Sequence, residues 1–291
     1  MRDSMPVISI VTPSYNMLPY LKLCSASVKD QNGQVEHIVF DGGSTDGTAD
    51  WLREQRNIIS VSEKDKGMYH ALNKAIDMAR GDIIGHLNCD EQYLPGTLKM
   101  IINFFDKNPQ VDFVAANFLV IDPSGDLVAY RKSFQPRWQY FFSNYLYTVT
   151  CTLFYRRKIF DQCRFDDSYK SIADAIFLYS VMKKGFKGAH IRKYVSVFTY
   201  SGTNLSLNPI SKIEKARFNT TLPMWYRIMK PFFFMLFFAE RIFNNTYTGI
   251  PTLSYSIFTK ENLLERKTFV KSNSTFRLKF KPRDALKNQN G

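Results

Sequence analysis

The sequence predicts an α/β protein with a doubly wound, mostly parallel sheet, followed by a helical, basic and aromatic-rich tail. Strand-like and helix-like segments alternate four times between residues 7 and 87, with short links, as in a parallel sheet covered by helices. The 291 residues are 45% hydrophobic, enough to bury one large core. Residues 207–291 contain 15 Lys and Arg against 5 Asp and Glu, whereas the remaining residues contain 24 against 21. We therefore expect a domain over residues 1–208 and a tail over residues 209–291.

The elements follow from local patterns. Short apolar runs bounded by turn residues predict strands at residues 7–12, 35–40, 58–61 and 82–87. Helical spacing predicts helices at residues 18–28, around Trp51, and at 68–79, where apolar residues recur at i, i+4, i+7, i+8 and i+11. Further along, we expect a helix at 98–105, a strand at 111–116, a hairpin of 118–121 with 127–130, a strand at 149–155, a helix at 172–184 and a strand at 189–200.

Polar clusters follow each of the first four strands. They are residues 12–16, 41–44, 63–67 and 88–91. The carboxyl ends of parallel strands lie on one edge of the sheet, where α/β proteins bind ligands. Any one cluster could be an ordinary turn, but four on one edge favour a crevice for a nucleotide and its diphosphate. The chain has neither a G-x-G-x-x-G segment after the first strand nor a P-loop, which argues against dinucleotide and P-loop binding.

Two adjacent carboxylates, Asp90 and Glu91, end the fourth predicted strand. Oxygen ligands at such a point suit Mg²⁺ or Mn²⁺ shared with substrate phosphates. The alternative is a polar turn leading to a helix near Tyr93. The four Cys and four His are scattered without metal-site spacing, which argues against zinc and favours a reducing compartment.

The ordered segments Val-Thr-Pro-Ser-Tyr-Asn, Asp-Gly-Gly-Ser-Thr-Asp-Gly-Thr, Ser-Glu-Lys-Asp-Lys-Gly-Met-Tyr and Leu-Asn-Cys-Asp-Glu resemble family 2 glycosyltransferases of the GT-A fold. The resemblance runs over residues 7–206 and is closest to the bacterial subgroup that builds surface and extracellular polysaccharides. It implies a nucleotide-sugar site lined by Thr12, Pro13, Tyr15, Asp41, Gly42, Asp65 and Asn88. Residues 88–90 stand where the family has its Asp-x-Asp, so Asp90 would hold the metal ion.

The second half has one candidate catalytic carboxylate, Asp174. By resemblance it opens a helix facing the acceptor and acts as the general base. The local alternative is a capping box, since Ser171 and Asp174 have its spacing and a first-turn Asp suits the helix dipole. The resemblance also places the Gly-rich segment 201–206 near the diphosphate or the acceptor.

The tail predicts a membrane contact. Its uncharged apolar run, residues 231–239, is far shorter than the roughly 20 residues needed to span a bilayer. Trp225 and Tyr226 beside Arg227 and Lys230 suit the headgroup region, so we expect an in-plane anchor on an anionic membrane surface. The alternative is a pair of aromatic-rich helices that pack on the domain or form a dimer. The amino terminus lacks a signal-peptide pattern, so we expect a cytoplasmic enzyme on the inner face of the cell membrane.

Together these features predict an inverting glycosyltransferase that uses Mg²⁺ or Mn²⁺ and moves a sugar from a nucleotide sugar, with UDP-sugar favoured, to a lipid-linked saccharide. A sugar nucleotidyltransferase is one alternative, but it would need a Gly-rich loop with Arg or Lys where residues 13–16 stand. A non-catalytic nucleic-acid-binding protein is another. It would spread basic residues over the whole fold, whereas here they are concentrated after residue 207, so we expect no nucleic-acid partner.

Overall fold

The computed structural model describes residues 7–31, 33–140, 148–200 and 209–274. The first half contains β1 (Ile8–Ser14), α1 (Leu18–Lys29), β2 (Val35–Asp41), α2 (Thr48–Glu54), β3 (Ile59–Ser62), α3 (Met68–Met78), β4 (Ile83–His86), β5 (Glu91–Tyr93), α4 (Thr97–Lys107), β6 (Phe113–Ile121) and β7 (Leu127–Arg131). The second half contains β8 (Phe154–Arg156), α5 (Ala173–Lys183), β9 (Gly188–Thr199), α6 (Ile210–Thr221), α7 (Met224–Phe243), β10 (Ile250–Thr259) and β11 (Asn262–Ser274).

One large sheet organises the domain, in the strand order β3-β2-β1-β4-β8-β6-β9-β5, with β7 paired to β6. Strands β3, β2, β1 and β4 are parallel. β8 is antiparallel to β4 and β6, β9 is parallel to β6, and β5 is antiparallel to β9. The predicted doubly wound, mostly parallel sheet is therefore confirmed.

Helices cover both faces of this sheet. On one face the apolar side of α3, including Leu72 and Ile76, packs in a core cluster with α5, where Phe177 is buried. On the other face α4 buries Leu98 and Ile101 in a second cluster. Each such side chain contributes about 1.5–3 kcal/mol on burial. This two-sided packing explains why all seven residues of β1 are buried.

The central strand β4 needs a glycine where the sheet is most crowded. A Cβ atom on Gly85 would lie 2.9 Å from Ile10 Cδ1 and 2.9 Å from Tyr93 Oη. The absence of a side chain therefore lets β5 and its Tyr93 lie close to the strand that leads into the Asp90 segment.

Two local predictions were wrong. The strand expected at 149–155 is only Phe154–Arg156, because Thr150–Thr152 forms a 3₁₀ turn in which Thr152 Oγ1 donates to Val149 O at 2.8 Å. The alternative of a helix beginning near Tyr93 is also wrong, because residues 91–93 form β5, which pairs with β9, and the helix begins at Thr97.

The tail is only partly helical. Helices α6 and α7 confirm the helical prediction, but β10 and β11 form an antiparallel hairpin that was not expected. Leu253, Tyr255 and Ile257 alternate along β10 and are buried against the domain, as in a strand with one covered face. The division at residue 208 stays a prediction. Within the described residues, no helix has the length and apolar character to cross a bilayer.

Candidate active site

The ends of β1, β2 and β4 are joined by direct contacts at one edge of the sheet. Gly42 N, after β2, donates to Ser14 O at the end of β1 at 2.9 Å. Cys89 Sγ, after β4, donates to Pro13 O at 3.2 Å. Polar segments far apart in the sequence therefore form one surface, as the parallel topology requires.

At the centre of this surface lies Asp41, which is fully buried. Its carboxylate accepts hydrogen bonds from Ser44 N at 3.0 Å, from the Ser44 hydroxyl and from Ser62 Oγ at 2.7 Å. These donors satisfy the oxygen atoms of the buried carboxylate. They also orient the carboxylate before any ligand arrives.

Beside Asp41, the loop after β3 approaches the backbone of Gly42. A Cβ atom at Gly42 would lie 2.8 Å from Asp65 Oδ2, so only glycine lets this carboxylate come so near. Asp65 Oδ1 accepts a hydrogen bond from Gly67 N at 2.7 Å, which orients the side chain. The structure thus brings Asp41, Gly42 and Asp65 together.

The three candidate residues at the end of β1, Thr12, Pro13 and Tyr15, differ in their exposure to solvent. Thr12 is fully buried, and its hydroxyl lies 3.0 Å from His37 Nε2. Burial lowers the pKa of His37 to about 3, so the ring is neutral. Thr12 and Pro13 are both buried, whereas the Tyr15 side chain is 63% exposed.

In the segment after β4, some polar side chains are buried and others are partly exposed. Asn88 Oδ1 lies 2.8 Å from His86 Nε2. The backbone N of Asn88 donates to Glu91 Oε2 at 2.7 Å. Glu91 is fully buried, and burial together with Asp90 raises its pKa to about 8. Asp90 is only partly buried, so of these two carboxylates it is the one placed to meet a ligand.

The donor set tests the predicted metal site. No cluster of three or more His, Cys, Asp or Glu side chains suited to a metal ion occurs in the described part of the chain. A closed protein cage is therefore not built there. Mg²⁺ is held by one or two carboxylates plus substrate phosphates in many enzymes, and Asp90 at the strand edge fits that arrangement.

Asp174 lies in the first turn of α5. The helix has Ile172 as its N-cap, without a side-chain cap, so the alternative of a Ser171 capping box is wrong. Asp174 Oδ1 accepts hydrogen bonds from Ala175 N at 2.8 Å and from Tyr69 Oη at 3.2 Å. Burial raises the pKa of this carboxyl, and the two hydrogen bonds oppose that rise. The side chain keeps some exposure.

A layer of aromatic rings connects Asp174 with the Asp90 segment. Tyr69 stacks on Phe165 with ring centroids 5.8 Å apart. The Phe165 ring meets His86, at the end of β4, at 6.2 Å. Tyr69 lies at the start of α3, directly after the loop that carries Asp65. Both candidate carboxylates therefore lie at the carboxyl edge of the parallel strands.

The tail supplies residues that sequence reasoning did not find. Glu214 of α6 accepts hydrogen bonds from Lys170 N at 2.6 Å and from Ser171 N at 2.9 Å, which holds the segment before Asp174. At the tip of the hairpin, Lys260 Nζ lies 4.6 Å from the Tyr20 ring centroid. No local sequence pattern predicts these long-range contacts. The predicted Gly-rich segment 201–206 lies outside the described residues.

These features define a class of protein. A parallel sheet that collects acidic and glycine-containing loops at one edge, extended by the antiparallel strands β8 and β5 and by the Asp174 helix, is the GT-A type of glycosyltransferase fold. Residues 9–164 match the family model "Glycosyl transferase family 2". The chain belongs to this family.

Individual relatives agree with this assignment. Chondroitin synthase of Escherichia coli is 31% identical over 129 residues, which are 43% of this chain and 19% of that protein. Glycosyltransferase MJ1057 of Methanocaldococcus jannaschii is 24% identical over 235 residues, 76% of this chain and 80% of the relative. The crystal structure of S. aureus TarS 1-349 in complex with UDP-GlcNAc has the same fold, with a TM-score of 0.61 at 19% identity over 81% of this chain and 72% of that chain.

Proposed function

We propose that the protein is an inverting glycosyltransferase of surface polysaccharide synthesis. It moves a sugar from a UDP-sugar to a hydroxyl of a lipid-linked saccharide, with Mg²⁺ or Mn²⁺ at Asp90 and with Asp174 as the general base. The observation that carries the proposal is the position of Asp174, a partly exposed carboxylate with a raised pKa at the edge of the sheet that also carries Asp90.

The comparisons support the choice of donor and product. TarS has been crystallised with UDP-GlcNAc, and this chain shares its fold. The chondroitin synthase of E. coli is named for a polysaccharide that it makes. UDP-sugar and a growing saccharide are therefore the first donor and acceptor to test.

The chemistry follows from the two carboxylates. Asp174 accepts the proton of the acceptor hydroxyl while that oxygen forms a bond to the anomeric carbon, and the bond from this carbon to the diphosphate breaks. A single base without a second nucleophile gives inversion at the anomeric carbon. A divalent ion held by Asp90 would neutralise the charge that develops on the leaving diphosphate. Tyr69 keeps Asp174 oriented, because its hydroxyl donates to the base.

The test of the base is Asp174→Asn. We expect turnover to fall on the order of 10²–10⁴-fold, the typical contribution of general base catalysis, while the donor still binds. The matched control is Asp167→Asn, which makes the same change at an exposed residue and should leave turnover unchanged. Turnover of Asp174→Asn close to that of Asp167→Asn would remove Asp174 from the mechanism.

The donor and metal are tested by thermal shift. UDP-, GDP- and dTDP-sugars with and without Mn²⁺ should raise the melting temperature only in the combination that binds. We expect UDP-sugar with Mn²⁺ to give the largest shift and Asp90→Asn to lose the metal-dependent part. A shift that is the same with and without Mn²⁺ would contradict the assigned role of Asp90.

Membrane association is part of the proposal, and α7 supports it. One face of the helix packs on the domain through Tyr226, Phe233 and Phe237. The other face leaves large apolar side chains in solvent, among them Trp225 at 51%, Ile228 at 69% and Met235 at 64% exposure. A continuous exposed apolar face on a basic tail is the feature of an in-plane helix on an anionic membrane. We therefore place the enzyme on the inner face of the cell membrane.

The test replaces Ile228 and Met235 together by Asp in the full chain. The control replaces Leu264 and Val270 by Asp, two residues of β11 that are 92% and 64% exposed. We expect flotation with anionic vesicles to be lost in the α7 variant and kept in the control. Flotation that persists in the α7 variant, or a dimer in the wild type that only the α7 change disrupts, would refute the anchor.

A further inference from the structure

A cavity lined mostly by polar and charged residues lies outside the candidate active site. It has a volume of about 350 Å³ and is lined by Asn117, Lys132, Ser133, His190, Arg192, Tyr194, Asn244 and Ile250. This volume falls in the roughly 300–1,000 Å³ range of small-molecule sites. The walls come from β6, β9, the segment after β7, and the turn between α7 and β10.

The lining is positively charged. Lys132 and Arg192 contribute two cations, and no carboxylate is among the described residues that line the cavity. Lys132 Nζ donates to Thr248 Oγ1 at 2.7 Å and to Thr248 O at 3.0 Å, and Arg192 Nη2 donates to Asn244 Oδ1 at 3.1 Å. These partners are neutral, and neither cation forms an ion pair with a carboxylate of the described residues.

The remaining polar groups are arranged as donors. Asn117 Oδ1 accepts from Ser133 N at 2.9 Å and lies 3.1 Å from His190 Nε2. These two contacts orient the amide, and among the described residues its Nδ2 remains available as a donor. Burial and Arg192 lower the pKa of His190 to about 4, so the ring is neutral and its Nε2–H donates to Asn117.

Tyr194 gives an independent sign of a ligand. Its hydroxyl is buried and has no hydrogen-bond partner in the described part of the chain, although the residue lines the cavity. A buried hydroxyl without a partner costs about 1–3 kcal/mol. Such a group is retained most simply when a ligand accepts its hydrogen bond.

The position of the cavity indicates the kind of anion. Asn244, in its wall, is the C-cap of α7, whose outward face carries the exposed apolar residues, including Phe238 and Phe243 at 43% and 85% exposure. A phosphate in the cavity would therefore lie next to an apolar surface that suits a hydrocarbon chain. Lys and Arg side chains with hydroxyl and amide donors are the groups that bind phosphate oxygens.

We infer that this basic cavity binds a phosphate group, and that the group is carried by a lipid whose chain lies along α7. The identification of this lipid with the saccharide-bearing acceptor rests on the proposed function, whereas phosphate binding does not. The cavity would then hold the phosphate of the acceptor at a point separate from the donor site.

The experiment uses the full chain with inorganic phosphate, without donor sugar or divalent ion. Arg192→Gln keeps a donor for Asn244 but removes one charge, and Tyr194→Phe removes only the unpartnered hydroxyl. The control is Lys193→Gln, the same loss of charge at the exposed neighbouring position. We expect the affinity for phosphate to fall about tenfold in Arg192→Gln, the scale of a lost charge-assisted hydrogen bond, and severalfold in Tyr194→Phe, with Lys193→Gln unchanged.

A second arm measures flotation with phosphatidylcholine vesicles that contain or lack phosphatidic acid. If Arg192→Gln and Tyr194→Phe weaken both phosphate binding and the response to phosphatidic acid, the lipid-borne phosphate is supported. If they weaken phosphate binding alone, the lipid source is overturned and a soluble phosphate compound is supported. The inference as a whole fails if the wild type does not bind phosphate, or if both variants bind it as tightly as Lys193→Gln. These readouts do not depend on sugar transfer, so they can succeed or fail separately from the proposed function.

Discussion

One buried amide contributes to the attachment of the β10–β11 hairpin, and replacing it should loosen the hairpin. Gln92 of β5 is 3% exposed. Its Oε1 accepts a hydrogen bond from Phe258 N at 2.9 Å, and its Nε2 donates to Phe258 O at 3.1 Å. Gln92→Leu keeps the approximate volume of the side chain but removes both partners of this backbone pair.

The magnitude follows from those two bonds. Each lost partner leaves a buried backbone group unpaired, at a cost of about 1–3 kcal/mol, so the two together should lower the free energy of hairpin opening by about 2–6 kcal/mol. This is a large part of the 5–15 kcal/mol that typically stabilises a whole domain. Arg266 keeps part of the attachment, because it pairs with Asp30 at 2.6 Å and donates to Tyr93 O at 2.9 Å.

Amide hydrogen exchange of residues 250–274 measures the effect directly. A loss of 2 kcal/mol corresponds to exchange faster by about 30-fold, while exchange in β1 and β2 should stay slower than in the hairpin. Gln55→Leu is the matched control, because Gln55 is half-buried and, among the described residues, its side chain has one hydrogen bond, to Trp51 O at 3.2 Å. This change should alter stability by about 0.5 kcal/mol or less. Wild-type exchange rates in the hairpin of Gln92→Leu would refute the reasoning.

Two further predictions concern buried titratable groups. His37 has a pKa of about 3 in the fold against about 6.5 when unfolded, so the unfolded chain takes up the proton first. As the pH is lowered from 6.5 to 3, the free energy of unfolding should therefore fall by up to about 1.4 kcal/mol per pH unit. Denaturant titrations at several pH values should show that the free energy of unfolding depends less steeply on pH in His37→Asn. Equal dependence on pH in the two proteins would contradict the lowered pKa of His37. Tyr69→Phe removes a hydrogen bond that lowers the pKa of Asp174, so the acidic limb of the pH–kcat/KM profile should move to higher pH, with a loss of about 1 kcal/mol in stability. An unmoved limb would show that Asp174 is not the group that titrates.

The parallel half of the fold and the edge that carries the site could be predicted from the sequence. The i, i+4, i+7, i+8 spacing of α3 reports which face meets the sheet, and a run of buried residues such as β1 reports a strand covered on both sides. Once four such strands run parallel, their ends must share an edge. This is why the sequence alone groups Asp41, Asp65 and Asp90 at one edge.

The direction of individual side chains was decided by the tertiary structure. Thr12 and Tyr15 stand three positions apart, yet the first packs inside against His37 while the second remains in solvent. Likewise, Asp90 stays partly exposed whereas the adjacent Glu91 is fully buried. The residue types alone do not show which of two neighbouring polar side chains is buried, because burial depends on which helices and strands pack against each of them.

The tail shows the same limit at longer range. Its basic surplus and the aromatic residues of α7 are visible in the composition, and its helices were expected. The contacts that join it to the site, Glu214 with Lys170 and Gln92 with Phe258, link residues 44 and 166 positions apart. The local sequence determines which residues tend to be buried and with what period. The segment that packs against them is determined only in the folded chain, where distant segments compete for the same surface.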